Sequence, residues 1–283
     1  MKSIDFLKLI SLEGIKDIDY AITTKCNLNC KGCRTKSPIV PPWFVSLEQF
    51  LHDQKTLLRL GFSPCNLKLC LWGGDPLTHP NIIELINNSI FPLSMLTNGL
   101  GLLNQPKEFW KVVSDRQVHI SISIYNRSKI PYDKVFKLLK DHNCSFNNAD
   151  DYYQMINKEM VDSIRCKNHF LLSRINPKGA FNKKANFIHC CSMYPIIQNN
   201  KLYKCIIQND LALNSIFNLN LTMVEGKDYL TLDKVKSSNE IIKFMNTIPE
   251  YCRFCGSDGD YRNSNELILW EYSKKEITEW VQV

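Results

Sequence analysis

Three cysteines stand close together near the start of the chain, in the segment CNLNCKGC at residues 26–33. Cys26, Cys30 and Cys33 have the spacing Cys-x3-Cys-x2-Cys. At this cysteine frequency, chance would produce that spacing in only about one such sequence in fifty, so composition does not explain it. Three thiolates can hold three irons of a cubane iron–sulfur cluster and leave the fourth iron open. A zinc knuckle or three unpaired core thiols are the alternatives, but zinc sites usually take four ligands, and no fourth follows within reach of this loop.

The composition is that of an ordinary globular chain. Of its 283 residues, 44% are hydrophobic and 22% are charged, and such a chain can bury a large core without disulfides. No run of about 18 apolar residues is present to span a membrane, so we expect a soluble protein without a membrane partner. The net charge of +7 comes from basic residues, mostly lysines, that are spread along the chain and form no long runs. Bound clusters would lower it further, so nucleic acid is not an expected partner.

The N-terminal segment MKSIDFLKLISLEGIKD mixes acidic with apolar residues. It therefore lacks the continuous apolar core of a signal peptide. Without an export signal, the twelve cysteines are better explained as reduced ligands and core residues of a cytoplasmic protein than as disulfides.

Strand-like and helix-like patterns alternate along residues 18–173. The strand-like runs are 18–24, 67–72, 94–97, 118–124, 144–146 and 169–172. The helix after the first strand has a candidate capping box at Ser46 and Gln49 and a stop at Gly61. Start signals of the next three helices are Pro80, Pro106 and Pro131. This alternation predicts an α/β fold with six parallel βα units, a closed or partly closed barrel whose chemistry lies at the carboxyl ends of the strands.

Three of these strands end in glycine-rich or polar segments. The second is followed by Gly73, Gly74, Asp75 and Pro76, and the third by Thr97, Asn98 and Gly99. Glycine pairs let a ligand approach the backbone closely, although both segments are also ordinary turn sequences. The fourth strand carries Ser121 and Ser123, whose alternation also fits a buried strand with common hydroxyl side chains.

Together, the cysteine loop and these strand ends resemble the radical S-adenosylmethionine (SAM) superfamily. The resemblance implies a partial (β/α)6 barrel, a [4Fe–4S] cluster on Cys26, Cys30 and Cys33, and SAM chelated to the open iron. It also implies reductive cleavage of SAM to a 5'-deoxyadenosyl radical. The SAM-binding residues it implies are Gly73, Gly74, Asp75, Pro76, Asn98, Ser121 and Ser123.

The chain departs from the family pattern at three positions. Asp75 replaces the glutamate of the family's Gly-Gly-Glu-Pro motif, whose main-chain role should survive the change. Tyr125 stands where an aspartate would meet the SAM ribose, so we expect Ser123 to make that contact. Gly32 stands where many members have an aromatic residue packed on adenine, and that packing must come from elsewhere.

A second set of cysteines lies in the last third of the chain. Cys252 and Cys255 form a Cys-x2-Cys pair, and Cys205 with either Cys190 or Cys191 would complete four thiolates. Four cysteine ligands would leave no open coordination position at this site. From the spacing alone, a structural zinc ion is a fair rival to a second iron–sulfur cluster.

This second set resembles the twitch extension of radical SAM enzymes, a SPASM-like domain with one auxiliary [4Fe–4S] cluster. The resemblance favours Cys191 as the ligand with Cys205, Cys252 and Cys255, and places Asn200 where the family has a hairpin glycine. Asparagine also accepts that left-handed conformation. We predict an N-terminal extension at residues 1–17, the barrel at 18–180 and the twitch-type domain at 181–283. The remaining cysteines are expected in the core, although one could donate a hydrogen atom to a substrate radical.

The resemblance predicts an oxidoreductase or isomerase that abstracts a hydrogen atom from a carbon of its substrate. One candidate substrate is a carbohydrate or aminocyclitol undergoing dehydrogenation or epimerisation, and the other is a ribosomally made peptide. The 17 residues before the first predicted strand are too few for the leader-binding domain of many peptide-modifying relatives, which favours the small molecule. An electron donor such as flavodoxin or ferredoxin is the expected partner. A protein that binds zinc or iron–sulfur clusters without catalysis is the remote alternative.

Overall fold

The computed structural model describes residues 14–123, 130–148, 169–172, 174–179, 181–183, 195–255, 266–269 and 271–282. Its centre is an eight-stranded sheet with the order β5-β4-β3-β2-β1-β7-β8-β9. The first five strands along the chain are β1 (Asp17–Thr23), β2 (Lys68–Gly73), β3 (Leu93–Thr97), β4 (His119–Ile122) and β5 (Phe146–Asn148). Each pairs in parallel with its neighbour, so their carboxyl ends share one edge of the sheet.

Four helices follow the parallel strands and cover the sheet. They are α1 (Leu47–Arg59), α2 (Ile82–Asn88), α3 (Lys107–Asp115) and α4 (Tyr132–Asp141). The side chain of Ser46 accepts a hydrogen bond from the Gln49 amide at 3.1 Å and so begins α1. Gly61 takes φ +92° just after the helix ends. The predicted capping box is only half formed, because the Gln49 side chain turns instead to Asp53 at 2.7 Å.

The fold class is confirmed, and so are the first five strands and the helices between them. The sixth predicted strand differs in its position. Residues 169–172 do form a strand, β6 (His169–Leu172), but it pairs antiparallel with β10 (Glu266–Leu269) in a separate two-stranded sheet. The sixth parallel strand is β7 (Ile196–Gln198), which lies beside β1 on the opposite side from β2. Strand propensity does not specify the pairing partner, so the sequence pattern could not distinguish the two.

The C-terminal third continues the same sheet. β7 turns back into β8 (Lys201–Tyr203), and β9 (Tyr229–Thr231) pairs with β8. The two turn residues, Asn199 and Asn200, have φ of +52° and +58°, as a two-residue hairpin requires. Two short helices, α5 (Ala212–Phe217) and α6 (Ser238–Met245), complete this part. Because β7 pairs with β1, the sheet crosses the predicted boundary at residue 180.

Two apolar clusters hold the described structure together. The larger one joins the sheet to helices α1 to α4, and includes Phe50, Leu85, Phe109 and Val135. The smaller one brings Ala21 and Trp72 from β1 and β2 against C-terminal residues, which include Tyr251 and Trp280. The carboxyl ends of the first strands are therefore packed directly against the C-terminal third. None of the helices that the structure describes is long and apolar enough to cross a membrane.

Candidate functional site

The cysteine loop begins directly after β1, at the carboxyl edge of the sheet. Thr24 anchors its start, because its hydroxyl donates to the Pro41 carbonyl at 2.7 Å and accepts from the Trp43 amide at 2.7 Å. Cys26, Cys30 and Cys33 are all partly exposed on this loop. The predicted three-thiol segment is thus accessible at the edge where the chemistry of such folds is found.

Cys26 has the most defined surroundings of the three. Its sulfur accepts the Leu28 amide at 3.3 Å and lies 3.8 Å from the side-chain nitrogen of Asn98. Burial raises the pKa of the Cys26 thiol, the Leu28 amide lowers it, and the charges of Asp75, Cys33 and Cys30 raise it further. The metal-free thiol is therefore protonated at neutral pH. Iron binding must displace that proton, and the amide donors would then face a thiolate sulfur.

The glycine pair lies where the end of β2 meets the end of β1. A Cβ atom on Gly73 would lie 2.0 Å from the Thr23 carbonyl oxygen, and one on Gly74 would lie 2.0 Å from that of Lys25. The Gly74 amide donates to Thr23 at 2.8 Å. The close approach that requires glycine here is thus between two strands of the protein. Contact of Gly73, Gly74 and Pro76 with SAM stays a prediction.

Asp75 is buried and joins two of the predicted motifs. Its carboxylate accepts the amides of Leu77 at 3.0 Å and Asn98 at 2.9 Å, and the hydroxyl of Thr97 at 2.8 Å. Burial raises the pKa of Asp75 to about 6, while the hydrogen bonds from Asn98, Thr97 and Leu77 lower it. The side chain therefore ties the Thr-Asn-Gly turn to the glycine pair, a scaffold role that sequence reasoning missed.

Asn98 extends this connection to the cysteine loop. Its side-chain nitrogen donates to the Asn27 side-chain oxygen at 2.7 Å, and its own oxygen accepts the Leu100 amide at 2.9 Å. Ser121 lies on β4, and the Ser123 amide directly after β4 donates to the Thr97 carbonyl at 2.8 Å. The structure thus brings Asp75, Asn98 and Ser123 to one edge of the sheet beside Cys26.

Residues 271–282, which we call the C-terminal strap, cross the backbone of the cysteine loop. The Ser273 amide donates to the Asn29 carbonyl at 2.7 Å, and the Lys31 amide donates to the Glu271 carbonyl at 3.0 Å. Two strap side chains also contact the loop. The Glu279 carboxylate accepts the Gly32 amide at 3.4 Å, and the Trp280 indole donates to the Cys33 carbonyl at 2.9 Å. The strap therefore fixes the loop along most of its length, and no local sequence signal indicated this.

In the described part of the second cysteine set, Cys205 packs against the apolar cluster that contains Tyr251 and Phe254, which adjoin Cys252 and Cys255. Burial raises the pKa of Tyr251, and negative charge on Cys205 and Cys255 raises it further. Cys255 lies one turn after Cys252, with its amide 3.3 Å from the Cys252 carbonyl. Cys191, the fourth predicted ligand, lies outside the described residues.

The cysteine loop and the sheet edge beside it are the residues that would hold an iron–sulfur cluster and SAM. Among the described residues, no three His, Cys, Asp or Glu side chains are grouped so that they could hold a single metal ion. A four-iron cluster does not require the ligands to converge on one point, because each thiolate binds a different iron. The partial exposure of all three thiols and the amide donors to the Cys26 sulfur are compatible with such a cluster.

Comparison with known proteins gives curated relatives that are named GTP 3',8-cyclase or probable GTP 3',8-cyclase. No profile of a known protein family matches the chain. The probable GTP 3',8-cyclase of Pyrococcus abyssi is 28% identical over 118 residues, which are 41% of this chain and 37% of that protein. The GTP 3',8-cyclase of Clostridium botulinum is 23% identical over 278 residues, 93% of this chain and 83% of that protein. The chain spans 37%, 47% and 38% of the three archaeal relatives it matches.

A solved structure shares the fold. The crystal structure of BtrN in complex with AdoMet, which is SAM, and 2-DOIA superposes with a TM-score of 0.52. The match covers 86% of this chain and 93% of BtrN at 12% identity. The curated relatives are radical SAM enzymes.

These relatives and the shared fold support the radical SAM superfamily for this chain. For a radical SAM enzyme, the three thiols at the end of β1 are the expected holders of the cluster, and the edge formed by Asp75, Asn98 and Ser123 is the expected side for SAM. These residue assignments stay predictions.

Proposed function

We propose that this radical SAM enzyme abstracts a hydrogen atom from a carbon of a small carbohydrate or aminocyclitol substrate, in a dehydrogenation or an epimerisation. When bound, SAM and the cluster on Cys26, Cys30 and Cys33 would supply the 5'-deoxyadenosyl radical for that step. A second [4Fe–4S] cluster on Cys191, Cys205, Cys252 and Cys255 would take part in electron transfer, as in a twitch domain. A flavodoxin or ferredoxin would deliver the electron that cleaves SAM.

One observation carries the proposal. The fold match covers 86% of this chain and 93% of BtrN, so it must extend into the C-terminal third. BtrN was solved with 2-DOIA bound, and the curated relatives are named for a reaction on GTP. Both ligands are small molecules, which supports that substrate class. We propose the same division as from the sequence, a barrel at residues 18–180 and an auxiliary-cluster domain at 181–283, with β7 of the second part pairing with β1 to extend the parallel sheet.

The first test counts iron and sulfide after anaerobic reconstitution. We expect about eight irons per chain in the native protein and about four in the Cys252→Ala/Cys255→Ala variant, because two four-iron clusters are proposed. Cys65→Ala is the matched control, since Cys65 is exposed and outside both cysteine sets. A native protein with about four irons that the double variant leaves unchanged would exclude the auxiliary cluster and its role in electron transfer.

The second test addresses the substrate class. The reconstituted enzyme is given SAM and a reductant without oxygen, and 5'-deoxyadenosine is measured with 2-DOIA, with GTP and with a panel of deuterated sugars. Small-molecule chemistry predicts that one of these raises 5'-deoxyadenosine formation and transfers deuterium to it. Stimulation by a precursor peptide alone would instead make the enzyme a peptide maturase. A chain that never forms 5'-deoxyadenosine would contradict radical chemistry altogether.

A further inference from the structure

Positive charge and an exposed aromatic ring lie beside the first cysteine loop, on the C-terminal strap. Residues 25–34, which hold the three loop cysteines, contain three basic residues and no acidic one, and the strap adds Lys274 and Lys275. A backbone bridge between Cys30 and Tyr272 joins the two segments. Arg34, Tyr272, Lys274 and Lys275 are all exposed, and we call these four residues the strap surface.

The acidic residues of the strap offset only part of this charge. Glu279 is 2% exposed, and its carboxylate accepts one backbone amide of the cysteine loop and two of the strap. Glu271 forms an ion pair with Lys31 at 3.2 Å. Glu276 is exposed and caps the short 3₁₀ helix at Ile277–Glu279. The three cations of the strap surface therefore outnumber the one further carboxylate that is exposed next to them.

Hydrogen bonds hold the two lysines in a defined turn. The Lys274 amide donates to the Glu279 carboxylate at 2.6 Å, and the same carboxylate accepts the Gly32 amide of the loop at 3.4 Å. Lys275 has φ +62°, and its amide donates to the Ser273 hydroxyl at 2.9 Å. A left-handed lysine is uncommon and persists where surrounding contacts impose it. The turn is thus ordered before any partner binds, which reduces the entropy lost on binding.

The grouping of like charges on the strap surface favours an acidic partner. Neighbouring cations repel each other, and an acidic surface placed against them relieves that repulsion. Tyr272 is 49% exposed, more than any other large apolar side chain in the described part of the chain. Tyrosine and arginine are both enriched at protein–protein interfaces. The strap surface therefore has the charge and the composition of a docking site for an acidic protein.

The strap surface lies against the loop that is expected to hold the first cluster. Glu279 and Trp280 of the strap contact the Gly32 amide and the Cys33 carbonyl, and the three loop thiols are partly exposed. A protein docked on the strap would therefore lie next to the cluster. We propose that the strap surface is the docking site of an acidic one-electron carrier protein that reduces this cluster.

This inference rests on the proposed function, because it requires the first cluster and a protein that delivers the electron. It goes further by assigning the docking site of that protein to named residues of the strap. In the step itself, one electron passes from the reduced carrier to the cluster and leaves the carrier oxidised by one electron. No covalent bond forms or breaks.

The test uses the reconstituted Cys252→Ala/Cys255→Ala enzyme, so that the signal comes from the first cluster. Binding of a flavodoxin and of a ferredoxin, both of net negative charge, is measured by surface plasmon resonance, and cluster reduction by each reduced carrier is followed by stopped-flow absorbance. Lys274→Glu/Lys275→Glu should weaken binding and slow reduction about tenfold at low ionic strength, and high salt should abolish the difference. Tyr272→Ala should weaken binding at every salt concentration, because the ring contributes apolar contact.

Lys55→Glu/Lys140→Glu is the matched control, with the same change of net charge. Both lysines are exposed and lie in the second half of α1 and α4, which lead back to the amino edge of the sheet, away from the cysteine loop. This variant should bind the carrier and be reduced at nearly the native rate. Photoreduced 5-deazariboflavin, an uncharged reductant, should reduce the cluster equally fast in all variants, which would show that the site is intact.

Equal losses in the two charge-reversed variants would overturn the inference, because net charge rather than the strap surface would then govern binding. Failure of both carriers to bind and reduce the enzyme with a native strap would also overturn it. The proposed function would still stand in either case if 5-deazariboflavin and SAM gave 5'-deoxyadenosine. Absence of 5'-deoxyadenosine with every reductant would overturn the proposed function, and with it the role of the carrier.

Discussion

Because Gly74 has no Cβ atom, the backbone after β2 can lie close to the backbone after β1. Its replacement by alanine would put a Cβ atom 2.0 Å from the Lys25 carbonyl oxygen and 2.7 Å from that of Thr24. Both atoms are backbone, so neither can turn away as a side chain would. We expect Gly74→Ala to lower the free energy of unfolding by about 3 kcal/mol, because the strand or the cysteine loop must shift. Urea unfolding followed by circular dichroism measures the loss.

Gly226→Ala is the matched control for that substitution. Gly226 has φ +85°, but a Cβ there would meet nothing within 4 Å. Its cost should be about 1 kcal/mol, from the left-handed backbone alone. Equal losses in the two variants would show that the close approach at Gly74 contributes nothing.

The raised pKa of Asp75 predicts how the stability of the protein depends on pH. Its folded pKa is about 6, above the ordinary value of 3.8, so between these values the folded protein binds the proton more tightly than the unfolded chain. The carboxyl group is therefore most favourable to stability below about pH 4, and this advantage is lost as the pH rises through about 6. The stability difference between the native protein and Asp75→Asn should fall by about 1 kcal/mol from pH 5 to pH 7.

Urea unfolding of both proteins at pH 5, 6 and 7 gives that difference directly. Other carboxyl groups titrate equally in both and cancel. A difference that stays constant, or that grows with pH, would show that Asp75 is not held with a raised pKa.

At the scale of elements, the C-terminal strap contacts the cysteine loop and should stabilise it. The Trp280 indole donates to the Cys33 carbonyl, and its ring is buried against Phe217. Trp280→Phe keeps an aromatic ring but removes the donor, so the Cys33 carbonyl keeps only the hydrogen bond from the Lys36 amide. We expect a loss of about 1 kcal/mol in stability and faster release of iron from the first cluster to a chelator. The auxiliary cluster should release iron at its native rate.

Ile277→Val tests whether the effect is specific to that hydrogen bond. Ile277 lies in the same strap and packs against the same apolar cluster, so its truncation costs about 1 kcal/mol without touching the loop. Iron release from the first cluster should then stay native. If both variants release iron equally fast, general loosening of the strap is the cause.

Local sequence patterns predict where the strands lie but not how all of them pair. The first five strands follow from β-branched and apolar runs between helix signals, because these patterns reflect burial on both sheet faces. The β7–β8 hairpin follows from Asn199 and Asn200, which both accept a positive φ. Residues 169–172 formed a strand as predicted but joined β10 rather than β5, since pairing depends on which partner the folded chain brings near.

At the scale of the whole molecule, β1 is an internal strand between β2 and β7. Ending the chain at residue 194 would remove β7, the strap and most of the smaller apolar cluster. It would also expose Ala21 and Trp72, which are buried there. We expect the shortened chain to aggregate or to lack a cooperative unfolding transition, because an exposed apolar sheet edge is an aggregation site. Size-exclusion chromatography and thermal unfolding test this.

Ile197→Ala in the full chain is the companion measurement. Ile197 lies on β7 but belongs to the larger apolar cluster of the barrel. Its truncation should lower stability by about 3 kcal/mol within a single transition. A soluble shortened chain that unfolds cooperatively would instead show that the barrel and the C-terminal third fold independently.

The sequence by itself determined the class of fold, the position of the first cysteine loop and the residues that line the carboxyl edge beside it. These follow from short-range patterns, since ligand spacing, glycine positions and strand periodicity are all local properties. Only the tertiary structure decided what surrounds them. The carboxylate of Asp75 bridges two motifs, the strap crosses the cysteine loop, and Lys36 meets Asp210 across more than 170 residues of chain. Such contacts depend on how distant segments pack, and no local pattern encodes that packing.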